Sequence, residues 1–306
     1  MSEPALVLRG VAKCFGATRA LDGVDLMVPR GSVFALIGPN GAGKTTLLSL
    51  ACGFLRPDRG SVDVLGAAPD AMRTKGRIAA LPQDAALGRE MRVLDHLVHF
   101  GVLQGLDPEA ARAEATRALA VVGLPDAARR KAKTLSHGML KAVGVAQAFL
   151  GDPELVLLDE PTAGLDPRRA FELREAIAQM RGSRAVVVSS HNLHELEKLC
   201  DHAALLHGGR VVAGGSMGDL TRRDEEVQIV LGEGPEPIER LRARLDGVEV
   251  DYQAEARRIH LRFSPGPDRQ ADDVIGLALR ALLDEGARVS AVTKGESLER
   301  RYLEMT

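Results

Sequence analysis

The chain has 306 residues, 45% hydrophobic and 27% charged, enough for one large globular domain or a large domain with a smaller appendix. A formal net charge of −2 gives no electrostatic ground for nucleic acid as the main ligand. Cys14, Cys52 and Cys200 lie far apart with no C-x-x-C spacing, so neither a disulfide framework nor a structural zinc site is expected, and a reducing cytosol fits. Met1-Ser2-Glu3-Pro4 carries no secretory pattern, and no apolar run approaches the ~20 residues a membrane helix needs.

In chain order, Ala5-Leu6-Val7-Leu8 predicts a first strand, and residues 10–31 read as short strands and turns. Val33-Phe34-Ala35-Leu36-Ile37 is apolar and partly β-branched, the composition of a buried strand. It runs into Gly38-Pro39-Asn40-Gly41-Ala42-Gly43-Lys44-Thr45, which fits G-x-x-x-x-G-K-[ST], the phosphate-binding P-loop or Walker A motif. Thr45-Thr46-Leu47-Leu48 and the residues after them predict a helix. Glycines let backbone N–H groups turn onto phosphates, and the helix presents its positive end. Lys44 is placed to reach β/γ-phosphates and the Thr45 hydroxyl to ligate Mg²⁺. Strand, loop and helix in this order predict a nucleoside triphosphate site.

Residues 60–65 predict another strand, and Arg77-Ile78-Ala79-Ala80-Leu81 a further one leading to Pro82-Gln83. From Val93 to about Arg130 the spacing is helical, with Val93, Leu94, Leu97, Val98 and Val102 on one face and a second, Ala-rich helix starting near Pro108. Leu135-Ser136-His137-Gly138-Met139 opens a helix that runs to Leu150. Leu155-Val156-Leu157-Leu158 is an apolar strand ending in Asp159-Glu160, at the sheet edge where ligands bind in open α/β folds. There Asp159 can hold Mg²⁺ through its water shell, and Glu160 can take a proton from attacking water. Strand patterns recur at residues 185–188, 203–206 and 210–212, before a break at Gly214-Gly215. Continuous apolar runs of this kind predict a parallel sheet with helices on both faces.

Beyond about Arg222 the rhythm changes. Strands are expected over 227–231, 248–252, 258–263 and 288–293, with helices over 237–245, 272–283 and 297–305. Residues 223–306 are therefore read as a small α+β appendix.

Taken together, these motifs resemble the ATP-binding cassette family, whose signature is usually written L-S-G-G-Q. The run from Asp152 through Asp159-Glu160 (the Walker B motif) to Pro161-Thr162 is similar to that family throughout. By position, the resemblance implies that Phe15 stacks on adenine, that Gln83 is the Q-loop glutamine beside Mg²⁺ and the attacking water, and that Gly164-Leu165-Asp166-Pro167 is the D-loop. His191, after Ser189-Ser190, corresponds to the switch histidine, which orients the γ-phosphate and the water. Pro39, Asn40, Ala42 and Thr46 belong with the P-loop contacts to ATP. Ser136 and the Gly138 backbone, at a helix N-terminus, would meet the γ-phosphate bound by a second subunit. The implied fold is an α/β P-loop NTPase (ABC ATPase) core over residues 1–222, with a helical subdomain at about 84–150 and an antiparallel β subdomain. The implied cofactors are ATP and Mg²⁺.

His137 and Met139 depart from the usual signature, and Leu140-Lys141-Ala142 stands where the family often has Arg-Gln-Arg. A Met at that place, and a closing Ser297-Leu298-Glu299-Arg300-Arg301-Tyr302-Leu303-Glu304-Met305-Thr306 similar to S-L-E-x-x-F-L-x-L-T, resemble a branch of exporters for drugs, lipids or polysaccharides. The resemblance implies a homodimer of ATPase subunits at the cytoplasmic face of a membrane, serving an integral membrane permease on a separate chain, and cytoplasmic when unassembled. The segment from about 84 to 134 would be the docking surface. A soluble mechanochemical ATPase acting on nucleic acid or the ribosome is the alternative, although the chain has neither a second cassette nor a long heptad insertion. A P-loop kinase or GTPase is disfavoured by the signature and by the lack of N-K-x-D. His191-Asn192-Leu193-His194-Glu195 lacks the further ligands of a zinc site. His96 and His99 read as surface or boundary residues, Arg129-Arg130-Lys131 as a solvated loop, and Cys14 as a small packed thiol.

Overall fold

The computed structural model describes residues 3–190, 192–221, 225–263 and 271–294. The expected C-terminal helix over 297–305 lies outside the described residues. The chain divides into two compact units, residues 1–217 and 218–306.

The first unit is built on a six-stranded sheet. β3 (Val33–Ile37), β5 (Ile78–Leu81), β6 (Leu155–Asp159), β7 (Ala185–Ser190), β8 (His202–His207) and β9 (Arg210–Ser216) lie in the order β5-β6-β7-β3-β8-β9. All neighbouring pairs are parallel except the last, where β9 closes the edge antiparallel to β8. Every residue of β3, β6 and β7 is buried, as expected of strands covered on both faces. Because these strands run parallel, their C-terminal ends deliver the P-loop, Asp159-Glu160 and Ser189-Ser190 to one edge.

A second sheet, β2-β1-β4, joins β1 (Leu6–Phe15), β2 (Thr18–Val28) and β4 (Arg59–Val64) antiparallel. Residues 10–31 are thus mostly one end of a long strand and the whole of another, not a series of short ones. The β1–β2 register shifts between Leu8 and Val11, where Gly10 takes φ +57°. The extra residue makes the buried positions Leu6, Leu8 and Val11, which breaks the period of two that reveals a strand.

α1 (Lys44–Ala51) follows the P-loop, and α2 (Val93–Leu103), α3 (Pro108–Val121) and α4 (His137–Ala148) form the helical segment. α3 ends well before Arg130. Gly123 (φ +68°) caps it, with Leu124 N–H donating to Leu119 O and Gly123 N–H to Ala120 O, the paired bonds that stop a helix. On α2, Val102 is 42% exposed, whereas His96 is only 7% exposed and its Nε2 lies 3.1 Å from Gln147 Oε1 of α4. The glycine at 101 lets α3 approach, since a Cβ there would sit 2.9 Å from the Ala111 Cβ, and this turns the buried face from Val102 to His96 and Gly101. Cys14 is exposed rather than packed, while burial pushes the Cys52 thiol up to about 12 and the Cys200 thiol upward as well. Among the described residues, three α-helices had no counterpart in the sequence reading: α5 (Pro167–Ala178) and α6 (Leu193–Leu199), capped by Asp166 and Asn192, and the short α7 (Met217–Thr221).

An ion-pair cluster ties three parts of this unit together. Glu154 sits within 2.7 Å of Arg30 Nη1 and 2.5 Å of Arg77 Nε, and these guanidiniums, Arg77 first, hold its carboxyl down at about 2. A depressed carboxylate stabilises the fold above its unfolded value of 4.5 and loses that contribution as pH falls toward 2. Because Glu154 is more than a third exposed, screening limits the effect to about 1 kcal/mol. Glu154→Gln should lower Tm modestly at pH 7 and flatten the acid side of the Tm–pH curve between about 4.5 and 2. An unchanged curve would show that the cluster contributes nothing.

In the second unit, β10 (Glu225–Leu231), β11 (Glu249–Gln253), β12 (Arg258–Phe263) and β13 (Val289–Lys294) form an antiparallel sheet in the order β11-β12-β10-β13. Connected as β10-α8-β11-β12-α9-β13, with α8 (Ile238–Arg244) and α9 (Ala271–Leu283), it is a split β-α-β plait. Alternate strand residues Val227, Ile229, Ile259, Leu261 and Phe263 pack with Leu241, Val274, Ala278 and Leu282 of the helices as its core.

Candidate active site

Two glycines of the P-loop are fixed by sterics. A Cβ on Gly38 would lie 2.3 Å from Leu206 O of β8, and one on Gly43 would lie 2.5 Å from Ala20 O of β2. Gly43 also has φ +106° at the N-cap of α1, a conformation that L side chains rarely adopt. The loop is closed by Ala42 N–H donating to Pro39 O, and its end is held to the turn after β8 by Gly209 N–H donating to Ala42 O. Pro39 to Thr46 line a cleft of about 400 Å³ together with Gln83, Asp159, Glu160 and the hairpin residues Thr18, Arg19 and Ala20. A volume of this order suits a small-molecule ligand.

Lys44 is only 6% exposed; its Nζ donates to Gly38 O (2.7 Å) and Pro39 O (3.2 Å) and lies 3.5 Å from Glu160 Oε1. The Thr45 hydroxyl donates to Asp159 Oδ2 at 2.6 Å, bridging α1 and the end of β6. The other carboxylate oxygen, Oδ1, accepts from the Ser189 hydroxyl at 2.5 Å, and Ser189 Oγ in turn accepts from Glu160 N–H at 2.9 Å. Glu160 itself has φ +50°, uncommon outside glycine and a form of strain associated with functional positions. The structure therefore brings Lys44, Thr45, Thr46, Gln83, Asp159 and Glu160 to one cleft. Ser189 was missed in the sequence reading; a polar residue ending the apolar run 185–188 is the signal that could have found it.

The cleft fits a phosphate ester with a hard cation. The loop leaves no room for a Cβ at Gly38 or Gly43, the buried Lys44 ammonium donates to its Gly38 and Pro39 carbonyls, and Thr45 Oγ1 with Asp159 supplies hard oxygen donors.

Other expected site residues lie elsewhere. Phe15, 49% exposed, ends β1 opposite Thr18, so its strand partner lines the cleft and its own ring does not. Ser136 caps α4, accepting from Met139 N–H at 3.3 Å, and Asp166 caps α5, accepting from Arg169 N–H at 3.0 Å. These two caps belong to one neighbourhood: a Cβ on Gly138 would touch Leu165 at 3.4 Å, and one on Gly164 would lie 3.7 Å from His137 Nε2. None of Ser136, Gly138 and Asp166 lines the cleft around Lys44 in the same chain. His191 lies outside the described residues; Asn192 N–H beyond it donates to Ser190 Oγ at 3.0 Å.

A family model described as ABC transporter matches residues 21–163. The chain is 34% identical, over its whole length and 97% of the relative, to the daunorubicin resistance ATP-binding protein DrrA3 of Streptomyces coeruleorubidus. It belongs to the ABC transporter ATP-binding subunits. Two further relatives are the linearmycin resistance ATP-binding protein LnrL of Bacillus subtilis, 32% identical over 71% of each chain, and a Nod factor export ATP-binding protein I of Cupriavidus pinatubonensis. The latter is 35% identical over 70% of this chain and 67% of its own. A solved ATP-binding subunit of an ABC transporter superposes with a TM-score of 0.65 and 29% identity, over 71% of this chain and 92% of that one. The ADP conformation of the cassette MJ1267 superposes with a TM-score of 0.61 and 27% identity, over 70% and 92%. The α/β ABC ATPase fold and an ATP-hydrolysing activity follow. Among the described residues, no helix is long and apolar enough to cross a membrane.

Proposed function

We propose that this ABC ATPase drives export of an antibiotic-like or lipid-like molecule through an integral membrane permease carried on a separate chain. The observation that carries the reading is the convergence of Lys44–Glu160 and Thr45–Asp159 in one cleft, on a chain similar along its whole length to a drug-resistance ATP-binding protein. Lys44 and the P-loop amides hold the phosphates, and Thr45, Asp159 and Gln83 hold Mg²⁺, which when bound neutralises charge on the phosphate oxygens. Glu160 takes the proton from the attacking water, assisted by His191. Phe15, whose strand partner Thr18 lines the cleft, stacks on the base where the nucleotide extends past the cleft's edge.

Because Ser136, Gly138 and Asp166 form a separate surface, each cleft is completed by these residues from a second copy of the chain, so ATP closes a homodimer. The groove of about 680 Å³ lined by Gln83, Leu87, Phe100, Leu135 and Leu140 receives a cytoplasmic segment of the permease. Residues 1–222 are the ATP-binding domain and 223–306 a separate appendix, and the complex sits at the cytoplasmic face of the membrane. Tagged protein extracted in detergent from native membranes should co-purify stoichiometrically with an integral membrane protein that has no cassette of its own. Recovery only in the soluble fraction, with nucleic acid or ribosomes, would overturn this reading in favour of a clamp-type ATPase.

A further inference from the structure

The strands β5 and β6 are parallel neighbours, with Leu81 paired to Leu158. Two residues beyond each partner, the chain reaches Gln83 and Glu160, so the backbones of the two motifs leave the sheet side by side. Helix α4 lies against this edge at close range: a Cβ on Gly144 would be 2.8 Å from Leu81 Cδ1, a separation only a glycine permits without movement. One turn earlier on the same face stands Lys141. Its ammonium donates to Gln83 O and to Glu160 O, both at 3.2 Å. Ala163 N–H also donates to Glu160 O, at 3.3 Å, and Ser189 Oγ accepts from Glu160 N–H. The peptide groups on both sides of a residue at φ +50° are thereby held from three elements.

We propose that Lys141 is a positioning residue for ATP hydrolysis, fixing the backbone of Glu160 against that of Gln83 so that the Glu160 carboxylate is held facing the cleft. A neutral side chain of similar length would leave the left-handed Glu160 backbone free to relax toward an ordinary conformation, and the carboxylate would move with it. Displacements of about 1 Å at a reacting group reduce rates on the order of 10²-fold. The inference rests on the reading of Glu160 as the proton acceptor.

The test compares Lys141→Met, Lys141→Arg and Lys141→Ala with the unsubstituted full-length protein, with turnover expressed per ATP-binding subunit so that misfolded protein does not count. Lys141→Met should lower kcat by about tenfold or more and leave KM for ATP within about twofold. Lys141→Arg, which keeps the charged donors, should restore most of the rate. Introduced on top of Glu160→Gln, Lys141→Met should reduce turnover no further, because both changes disable one function. If Lys141→Met does not fold, Lys141→Ala, which also has no donor, carries the comparison. Unchanged kcat in Lys141→Met, an equal loss in Lys141→Arg, or additive losses in the Glu160→Gln background would each overturn the proposal. Wild-type turnover in Glu160→Gln alone would instead remove the reading on which it rests.

Discussion

Glu160→Gln is expected to lower ATP turnover by about 10²–10⁴-fold, the span usual for loss of a general base, while ATP affinity stays within a few-fold. The substitution keeps the shape of the side chain and every backbone contact, including the N–H bond to Ser189 and the carbonyl bonds from Lys141 and Ala163. What it removes is the only change that matters for chemistry, the capacity to accept a proton. It also removes the negative partner 3.5 Å from Lys44, but that ammonium keeps Gly38 O and Pro39 O as acceptors and is not left buried and unpartnered. The fold should therefore survive with a small change in Tm. Steady-state hydrolysis measured beside nucleotide binding separates the two effects. Near-normal turnover with normal binding would take Glu160 out of the base role and leave Asp159, already engaged by Thr45 and Ser189, as the remaining carboxylate in the cleft.

What could be read from the sequence follows from how each feature is encoded. The P-loop and Asp159-Glu160 were legible because rare residue types sit at the ends of apolar strands, where a parallel sheet gathers them. Lys141 and Ser189 were not legible as site residues. Their partners are 58 and 19 residues away for Lys141, and 30 and 29 for Ser189, and only strand order and the close approach at Gly144 bring them together. The bulge at Gly10 broke the alternation of β1, so only its first part, up to Leu8, read as a strand. His96 was misplaced because a glycine at 101 turned the buried face of α2. From Glu225 to Lys294 the described elements lie within about two residues of expectation, yet their arrangement was out of reach: β10 pairs with β12 and β13, and no local pattern specifies non-sequential pairing.

The P-loop glycines give a second large effect, and comparing two of them isolates its cause. Gly41 has φ +81° with nothing within 4 Å of a built Cβ, so Gly41→Ala adds only the cost of a left-handed L residue, about 1–2 kcal/mol. Gly43→Ala adds that cost and a collision as well. The new Cβ would stand 2.5 Å from Ala20 O and 2.7 Å from Leu21 Cδ2. Ala20 cannot retreat easily, because its carbonyl already lies 2.8 Å from where a Cβ on Gly209 would sit, and Asp22 N–H donates to Gly209 O beside it. Gly209 N–H in turn donates to Ala42 O, so loop, hairpin and turn form one closed circuit. Forcing a methyl group into such packing costs typically about 1–3 kcal/mol more. Only the fraction of molecules with the native loop binds phosphate, and apparent affinity falls by that fraction. At about 1.4 kcal/mol per tenfold, Gly41→Ala should weaken ATP binding by roughly tenfold and Gly43→Ala by about 100-fold or more. Titration of each variant with a fluorescent ATP analogue decides it. Equal losses in the two would mean that backbone conformation alone governs the loop and that the contact with β2 has no part in shaping the site.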